Sequence, residues 1–412
     1  MFKSTRPLGA TYTCSIYVLN PARRKGGGAK KCASNGECPT GADLEPFARS
    51  LGVSAPDFPT RLYPLRRARY KSRHFIDWDN ELFPPAILQE YQDKMTVNVP
   101  KAPFRADHVG SLPRPEYLLD ARDAKAAGKI NAAELREIED KAIAEVARTQ
   151  EDLGLKGVTD GEYRRAVWHL DFLSQIDNVK QGEGRFTVGV DGDGAKSFKP
   201  QCMVTTGKLA RSHGIQTEDF KYLNSVTTQT AKVCVPSPTL MHFRGGRDAV
   251  DTAAYPTMEA FFKDVAKVYN DEFRELAKLG CTYLQIDDTN LAYLCDSKIR
   301  VDVKGAGEDP DALLDTYIEL INESTYGLPE GMTVCLHMCR GNFGRLSQGS
   351  YEPVADKLFN TLQVDGFFLE YDDERSGDFA PLRFVPKGKI VVLGLVTSKS
   401  GQLESKIGRA HV

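Results

Sequence analysis

The chain carries almost no net charge, no long apolar run and no ordered spacing of cysteines, and each absence removes a class of function. Its 54 Lys and Arg balance 56 Asp and Glu to a formal −2, which gives no electrostatic case for nucleic acid or an anionic membrane as partner. No stretch approaches the ~20 apolar residues that a membrane-spanning helix needs. The nine cysteines are scattered, three of them (Cys14, Cys32, Cys38) near the start. That pattern argues against a disulfide framework and for reduced thiols in a reducing compartment, and the expected location is cytoplasmic. No G-x-G-x-x-G follows any strand-like run, which disfavours a doubly wound nucleotide-binding sheet.

What is present divides unevenly. At 412 residues, 41% hydrophobic and 27% charged, the chain has room for one large barrel with appendages or for two ordinary domains. Residues 1–95 follow neither helix nor strand period. No acidic residue precedes Glu37, while Arg23, Arg24 and Lys25 run into Gly26-Gly27-Gly28. Two readings fit: an acid-poor organelle transit peptide, or a spliced-on upstream segment with the natural start near Met95. The second is the expectation here, with this part poorly ordered.

From Phe104 the pattern becomes regular. Phe104 to Leu112 reads as a strand. Asn131 to Leu153 reads as an amphipathic helix, with Asn131 as cap and Glu134 closing a capping box. Then Gly154 stops the helix and a short strand runs to Asp160-Gly161-Glu162. The same order returns with a helix from Thr257 to Lys278 before the strand ending at Asp287-Asp288. It returns again from Pro310 to Asn322 before Met332–Met338, and from Glu352 to Leu362 before Gly366–Tyr371. Lys389 to Leu395 adds one more strand. Helix, glycine or proline stop, apolar strand, polar residue at the strand's carboxyl end: this repeat predicts a TIM-type (β/α)8 barrel spanning 96–405. The glycine-bearing stretch from Ser174 to Thr230 reads as an insertion at the barrel mouth, in the form of a β-hairpin lid.

Five strand ends converge on one face: His108 to Ser111, Asp160 with Glu162, Asp287 with Asp288, His337 with Cys339, and Glu370. Residues two apart on a strand point the same way, so His337 and Cys339 offer an imidazole and a thiol at one spot. With Glu370 on the next strand they form a borderline-soft set suited to Zn²⁺. Each residue also has a plainer role. A buried Cys beside a hydrogen-bonded His needs no metal, and Asp160 or Asp288 would cap the following helix. Glu162 stands beside Arg164 and Arg165 and would serve in a surface ion pair. His169 and His242 read as core or rim histidines, and Trp168 as core or as a platform for a flat ring. A zinc at this place would bind a thiol and hold it as thiolate, a nucleophile ready to take an alkyl group.

These motifs, His108-Val109-Gly110-Ser111, Asp160-Gly161-Glu162, Gln285-Ile286-Asp287-Asp288 and His337-Met338-Cys339, followed by Glu370, stand in the order found in one family. From about Phe104 to Ser405 the chain resembles the cobalamin-independent methionine synthases, in particular short single-barrel members similar to the catalytic half of the long enzyme. The resemblance implies methyl transfer from 5-methyltetrahydrofolate (polyglutamate) to homocysteine. It implies zinc on His337, Cys339 and Glu370, and amino-acid contacts at Glu162 and Asp287. Gly110 and Ser111 would hold the substrate carboxylate, with His108 a further substrate contact.

Three departures stand out. The family's Asp-Glu-Pro is Asp287-Asp288-Thr289 here, and where its late catalytic His is expected the chain has Ser398-Lys399-Ser400. Lys399 and Asp288 are therefore the candidate catalytic groups. The family's fourth ligand, a late Cys, has no counterpart after Cys339. The closing Lys406-Ile407-Gly408-Arg409-Ala410-His411-Val412 can be encoded by AAGATCGGAAGAGCACACGTC, which looks like a sequencing adapter. The expectation is thus a barrel lacking its last strand and helix, with 406–412 an artefactual tail. The rival readings are a related alkyl transfer of the epoxide-opening thiol transferase type, a zinc-free uroporphyrinogen-decarboxylase-like barrel, and an inactive fragment.

Overall fold

Runs of β-branched and aromatic residues set the strands, and in the computed structural model they line up as one curled sheet. The structure describes residues 15–19, 102–186, 188–189, 197–341 and 347–396, with only the backbone of 15–19, 188–189 and 197–198. Met95, Lys399 and the 406–412 tail lie outside the described residues.

The strands are β1 (Ser15–Leu19), β2 (Ala106–His108), β3 (Gly157–Val158), β4 (Asp177–Glu183), β5 (Val188–Gly189), β6 (Ser197–Phe198), β7 (Gln201–Ala210), β8 (Thr230–Pro236), β9 (Tyr283–Asp288), β10 (Thr333–Met338), β11 (Gly366–Glu370) and β12 (Ile390–Gly394). Eight of them form the main sheet in the order β2-β1-β12-β11-β10-β9-β8-β3. Neighbours from β8 to β12 pair in parallel, as do β3 and β8. The two ends of the sheet come back together. A Cβ on Gly157 would stand 3.3 Å from the Phe104 ring, and the Leu112 N–H donates to Gly161 O at 3.1 Å. The fold is of the TIM type, as the repeating helix–strand order predicts.

The helices follow local rules closely. α1 is Glu116–Ala126, and α2 is Ala132–Asp152, whose capping box forms as expected: Asn131 accepts from the Glu134 N–H while the Glu134 carboxylate accepts from the Asn131 N–H. α3 (Leu170–Leu173) is a single turn, and α4 is Thr217–Val226. α5 (Met258–Lys278) is capped by Thr257 and buries Phe261, Val265, Tyr269, Phe273 and Leu276 along one stripe. α6 (Asn290–Tyr293), α7 (Ser297–Gly305), α8 (Pro310–Thr325) and α9 (Glu352–Thr361) complete the set. No helix among the described residues is long and apolar enough to cross a membrane.

The structure bears on two expectations. Within residues 1–95, expected to be poorly ordered, Ser15–Leu19 forms β1, antiparallel to both β12 and β2, and the rest of that segment lies outside the described residues. The run Ser-Ile-Tyr-Val-Leu is rich in strand formers, and two facing edges of the sheet offer unpaired N–H and C=O groups to it. Second, the stretch 174–230 is more than an insertion. β4 and β7 do make an antiparallel hairpin, but α4 belongs to the barrel and feeds β8. That strand escaped the sequence reading because Lys232 interrupts its apolar run.

The core has two parts. The larger lies between the sheet and the helices. The smaller fills the barrel floor with Ala102, Phe104, Tyr283, Cys335, Phe368 and Val392. Parallel register sets the inner wall in rows. Cys234, Gln285, Cys335, Gly366 and Ile390 lie side by side; above them come Asp287, His337, Phe368 and Val392, and then Glu370 beside Gly394.

Candidate active site

The floor and the mouth of the barrel both hold inward-facing charges. On the floor, Lys232 donates to Asp107 Oδ1 at 3.0 Å and to His108 O at 2.6 Å. The Tyr283 hydroxyl donates to Asp107 Oδ2 at 2.8 Å, and the Lys232 ammonium lies over the Phe368 and Tyr283 rings at 4.2 and 4.8 Å. This pair is sealed and self-satisfied.

His108 links the floor to the mouth. Its Nδ1 accepts the Gly110 N–H at 3.1 Å, and its Nε2 lies 2.9 Å from Gln150 Oε1 on α2. The network assigns the proton to Nε2. Burial, and then the charge of Lys232, push this imidazole down to about 4, so it is neutral. Expected as a substrate contact, His108 is instead occupied on both nitrogens and shapes the turn. The Gly110 N–H is occupied too, which leaves Ser111 as the candidate from that turn for a substrate carboxylate. Gly110 itself is required by space: at φ +111° a Cβ would sit 2.6 Å from Cys234 Sγ and 3.3 Å from Glu162 Oε1.

Glu162 is aimed by a strained turn. Gly161 and Glu162 both take positive φ, 66° and 59°. Asp160 Oδ1 accepts the Glu162 N–H at 2.9 Å, and Arg114 donates to the carbonyls of Glu162 at 2.7 Å and Arg165 at 2.8 Å. The surface ion pair weighed for Glu162 is in fact a buried one: Arg165 Nη1 lies 3.4 Å from Glu162 Oε1, both side chains under 10% exposed. Arg165 also donates to Cys234 O. Arg164 turns away to Glu139, Asp140 and Asp219. Burial, reinforced by Asp287 and Asp160, pushes the Glu162 carboxyl up to about 7 against the pull of Arg165.

Among the described residues, the close meeting of potential ligand atoms is Glu162, Cys234 and Asp287, all within 4.8 Å of one another. Cys234 was not singled out from sequence. It sits in the unrecognised β8, and only register with Gln285 on β9 brings it to the site. Burial, and then Asp287, push its thiol well above the usual range. Asp287 Oδ1 accepts from Gln285 Nε2 at 2.6 Å and from His337 Nδ1 at 2.8 Å. Gln285 also donates to Val109 O at 2.9 Å, so its amide orientation follows from two acceptors.

His337, Cys339 and Glu370 stand at the carboxyl ends of adjacent strands, yet they do not form the close group. His337 gives Nδ1–H to Asp287, which leaves Nε2 as the acceptor nitrogen of the ring. Cys339 Sγ accepts the Gly341 N–H at 3.4 Å. Glu370 accepts the Arg340 N–H on Oε2 at 2.9 Å and Arg375 Nη2 on Oε1 at 3.1 Å.

Asp288, expected as a catalytic group, faces away from this wall. It accepts the Leu291 N–H at 2.7 Å and the Thr239 hydroxyl at 2.6 Å. Strand alternation explains it: if Asp287 faces inward, Asp288 cannot. The carboxylate caps α6, the structural role weighed above. His242 is likewise a core residue, bonded to Tyr317 and Glu308. His169 lies under Trp168, their ring centroids 4.7 Å apart, and its Nε2 faces Arg244 at 2.8 Å.

Comparison with known proteins agrees with this architecture. Residues 104–408 match the family model described as cobalamin-independent synthase, catalytic domain. An uncharacterised Bacillus subtilis protein, YxjH, is 39% identical over 74% of this chain and 80% of its own length. A methionine synthase of Sulfolobus acidocaldarius is 29% identical over 72% of this chain and 76% of its own. A solved structure, the putative vitamin-B12-independent methionine synthase of Listeria monocytogenes, matches with TM-score 0.60 and 36% identity, covering 75% of this chain and 85% of that one. A Shewanella B12-independent methionine synthase, solved in complex with selenomethionine, has the same fold at TM-score 0.52 and 22% identity over 72% of this chain and 81% of that one. The chain belongs to the cobalamin-independent methionine synthase family, through the catalytic domain of these enzymes.

Proposed function

We propose that the barrel mouth moves a methyl group from 5-methyltetrahydrofolate to the thiol of homocysteine, giving methionine, with zinc held by His337, Cys339 and Glu370. The observation that carries the reading is Asp287. One carboxylate stands within 4.8 Å of Glu162 and Cys234 and fixes the His337 ring at 2.8 Å. It thereby joins an acidic pocket to a histidine whose other nitrogen is left as an acceptor.

The support for the metal is the type of its donors, since the atoms of these three residues do not gather within 4.8 Å as those of Glu162, Cys234 and Asp287 do. The set comprises an imidazole, a thiol and a carboxylate on two neighbouring inner faces, and the imidazole is oriented by a carboxylate as metal-binding histidines usually are. The Glu162, Cys234 and Asp287 group suits zinc less well. Its thiol resists deprotonation, and Arg165 already offsets one acid. Two carboxylates against one guanidinium favour the ammonium of an amino acid instead. Zinc, when bound, would lower the pKa of a thiol from its ordinary ~8.5.

The chain's own residues do the rest. Glu162 and Asp287 orient the amino end of homocysteine, and the Ser111 turn meets its carboxylate. In the transfer a sulfur–carbon bond forms as the methyl carbon leaves a pterin nitrogen, and that nitrogen departs with a proton. Lys399, outside the described residues, is the proposed source of that proton. The test is calorimetry of L-homocysteine against its analogue without the amino group, followed by turnover with methyl-folate and with an epoxide. Equal affinity for the two thiols, or turnover of the epoxide alone, would refute it.

A further inference from the structure

The turn bearing Ser111 follows β2 and the turn bearing Glu162 follows β3, the two ends of the sheet. Side chains lace these turns together. The Thr159 hydroxyl donates to Gly110 O on one turn at 2.7 Å and accepts the Gly161 N–H on the other at 3.2 Å. Thr159 is itself held by Gln150 of α2, which accepts its N–H at 3.0 Å and donates to its carbonyl at 2.8 Å. The same Gln150 Oε1 faces His108 Nε2 at 2.9 Å. Further along, the Tyr163 hydroxyl donates to Pro113 O at 2.6 Å. Thr159, Gln150 and Tyr163 are 1%, 2% and 4% exposed, so water does not compete for these bonds. None of them uses the Glu162 carboxylate or the Ser111 hydroxyl. The lacing sets where those two groups stand without occupying either.

We infer that Thr159 is a positioning residue that, with Tyr163, fixes the gap between the two turns and so restricts the pocket to α-amino acids. The inference rests on the amino-acid placement proposed above, between Ser111 at one end and Glu162 with Asp287 at the other; no metal enters it. In an α-amino acid the carboxylate and the ammonium share one carbon, so the span between them is short and constant. A β-amino acid adds one methylene to that span. Hydrogen bonds weaken steeply once distance and angle depart from their optimum, and a frame whose supports are locked cannot stretch to follow the longer ligand. A frame with its bridge removed can. The hydroxyl of Thr159, which touches no ligand, therefore decides how far apart the ligand's two ends are allowed to be.

The experiment uses the full chain and calorimetry with three probes: L-methionine, its β-homologue with one methylene between the carboxylate and the amine-bearing carbon, and its analogue without the amino group. Methionine, the product of the proposed transfer, has no thiol to place on a metal. Wild type should prefer methionine to the β-homologue by about 10- to 100-fold, the worth of one misfitted methylene. Thr159→Val removes the bridge at nearly constant volume and should bring that ratio close to one. Thr159→Ser keeps the hydroxyl and should restore it. Tyr163→Phe removes a lace farther along and should lower the ratio by less, which keeps the test intact if Thr159→Val does not fold. A merely structural role would not move the ratio, because a smaller competent fraction weakens both ligands equally. A wild-type ratio retained in both Thr159→Val and Tyr163→Phe would overturn the inference alone. So would a wild-type chain that prefers methionine to the analogue without the amino group but not to the β-homologue. Equal wild-type affinity for methionine and the analogue without the amino group would overturn the amino-acid reading and the inference together.

Discussion

The floor and the mouth of this barrel are built from the same strands, yet they treat buried charge in opposite ways. On the floor one carboxylate, Asp107, meets one ammonium, Lys232, and a tyrosine hydroxyl completes the set. Nothing there asks for a ligand. At the mouth Glu162 pairs with one buried cation, Arg165, while Asp287 stands beside it as a second acid, and burial, with the Asp287 and Asp160 charges behind it, raises the pKa of Glu162. Balanced burial makes scaffold, and unbalanced burial makes a binding site.

The sharpest way to break this contrast is Lys232→Met. It strands Asp107 in the interior, and urea denaturation should report a loss of about 3–5 kcal/mol. Adding Asp107→Leu should recover much of it, since the pair is replaced rather than halved. At the mouth the expected pattern reverses. Asp287→Asn keeps the shape and removes an excess charge, so urea stability should change little. Homocysteine affinity, by calorimetry, should fall about 10- to 100-fold, the worth of one charge-assisted hydrogen bond. Similar stability losses for Lys232→Met and Asp287→Asn would erase the distinction.

Gly110→Ala probes the seam between the two regions. Its Cβ would strike Cys234 Sγ at 2.6 Å in a backbone conformation that alanine resists. A loss of about 1–3 kcal/mol in the thermal melt is expected, only part of it recovered by Cys234→Ala. The mildest test is pH. A carboxyl whose folded pKa lies above its unfolded one is favoured while protonated. Glu162 therefore contributes stability below about 4.5 that is lost as pH rises to about 7. Glu162→Gln should flatten that slope; an unchanged slope would mean the acid is not the group responsible.

Sequence reasoning found the mouth more easily than the floor, for a local reason. His337, Cys339, Glu370 and Asp287 sit at the ends of apolar strands, where alternation alone says which residue faces in. Alternation also decides against Asp288, a conclusion the sequence reading left open. Lys232 and Cys234 were invisible because their roles depend on partners far along the chain: Asp107 is 125 residues from Lys232. A lysine in the middle of β8 even hid the strand, since a buried cation looks like a loop until its partner is known. β1 was missed for a similar reason, because five strand-forming residues mean little until two edges exist to receive them.

The left-handed backbone at Glu162 has a consequence for how this gene product would change over time. A non-glycine residue at φ 59° carries a conformational penalty of about 1 kcal/mol or more, and here it is borne by a side chain that is also electrostatically uncomfortable. Glycine or asparagine at that position would relax both. A lineage released from selection on its chemistry should therefore lose this acid early and become sturdier as it does so.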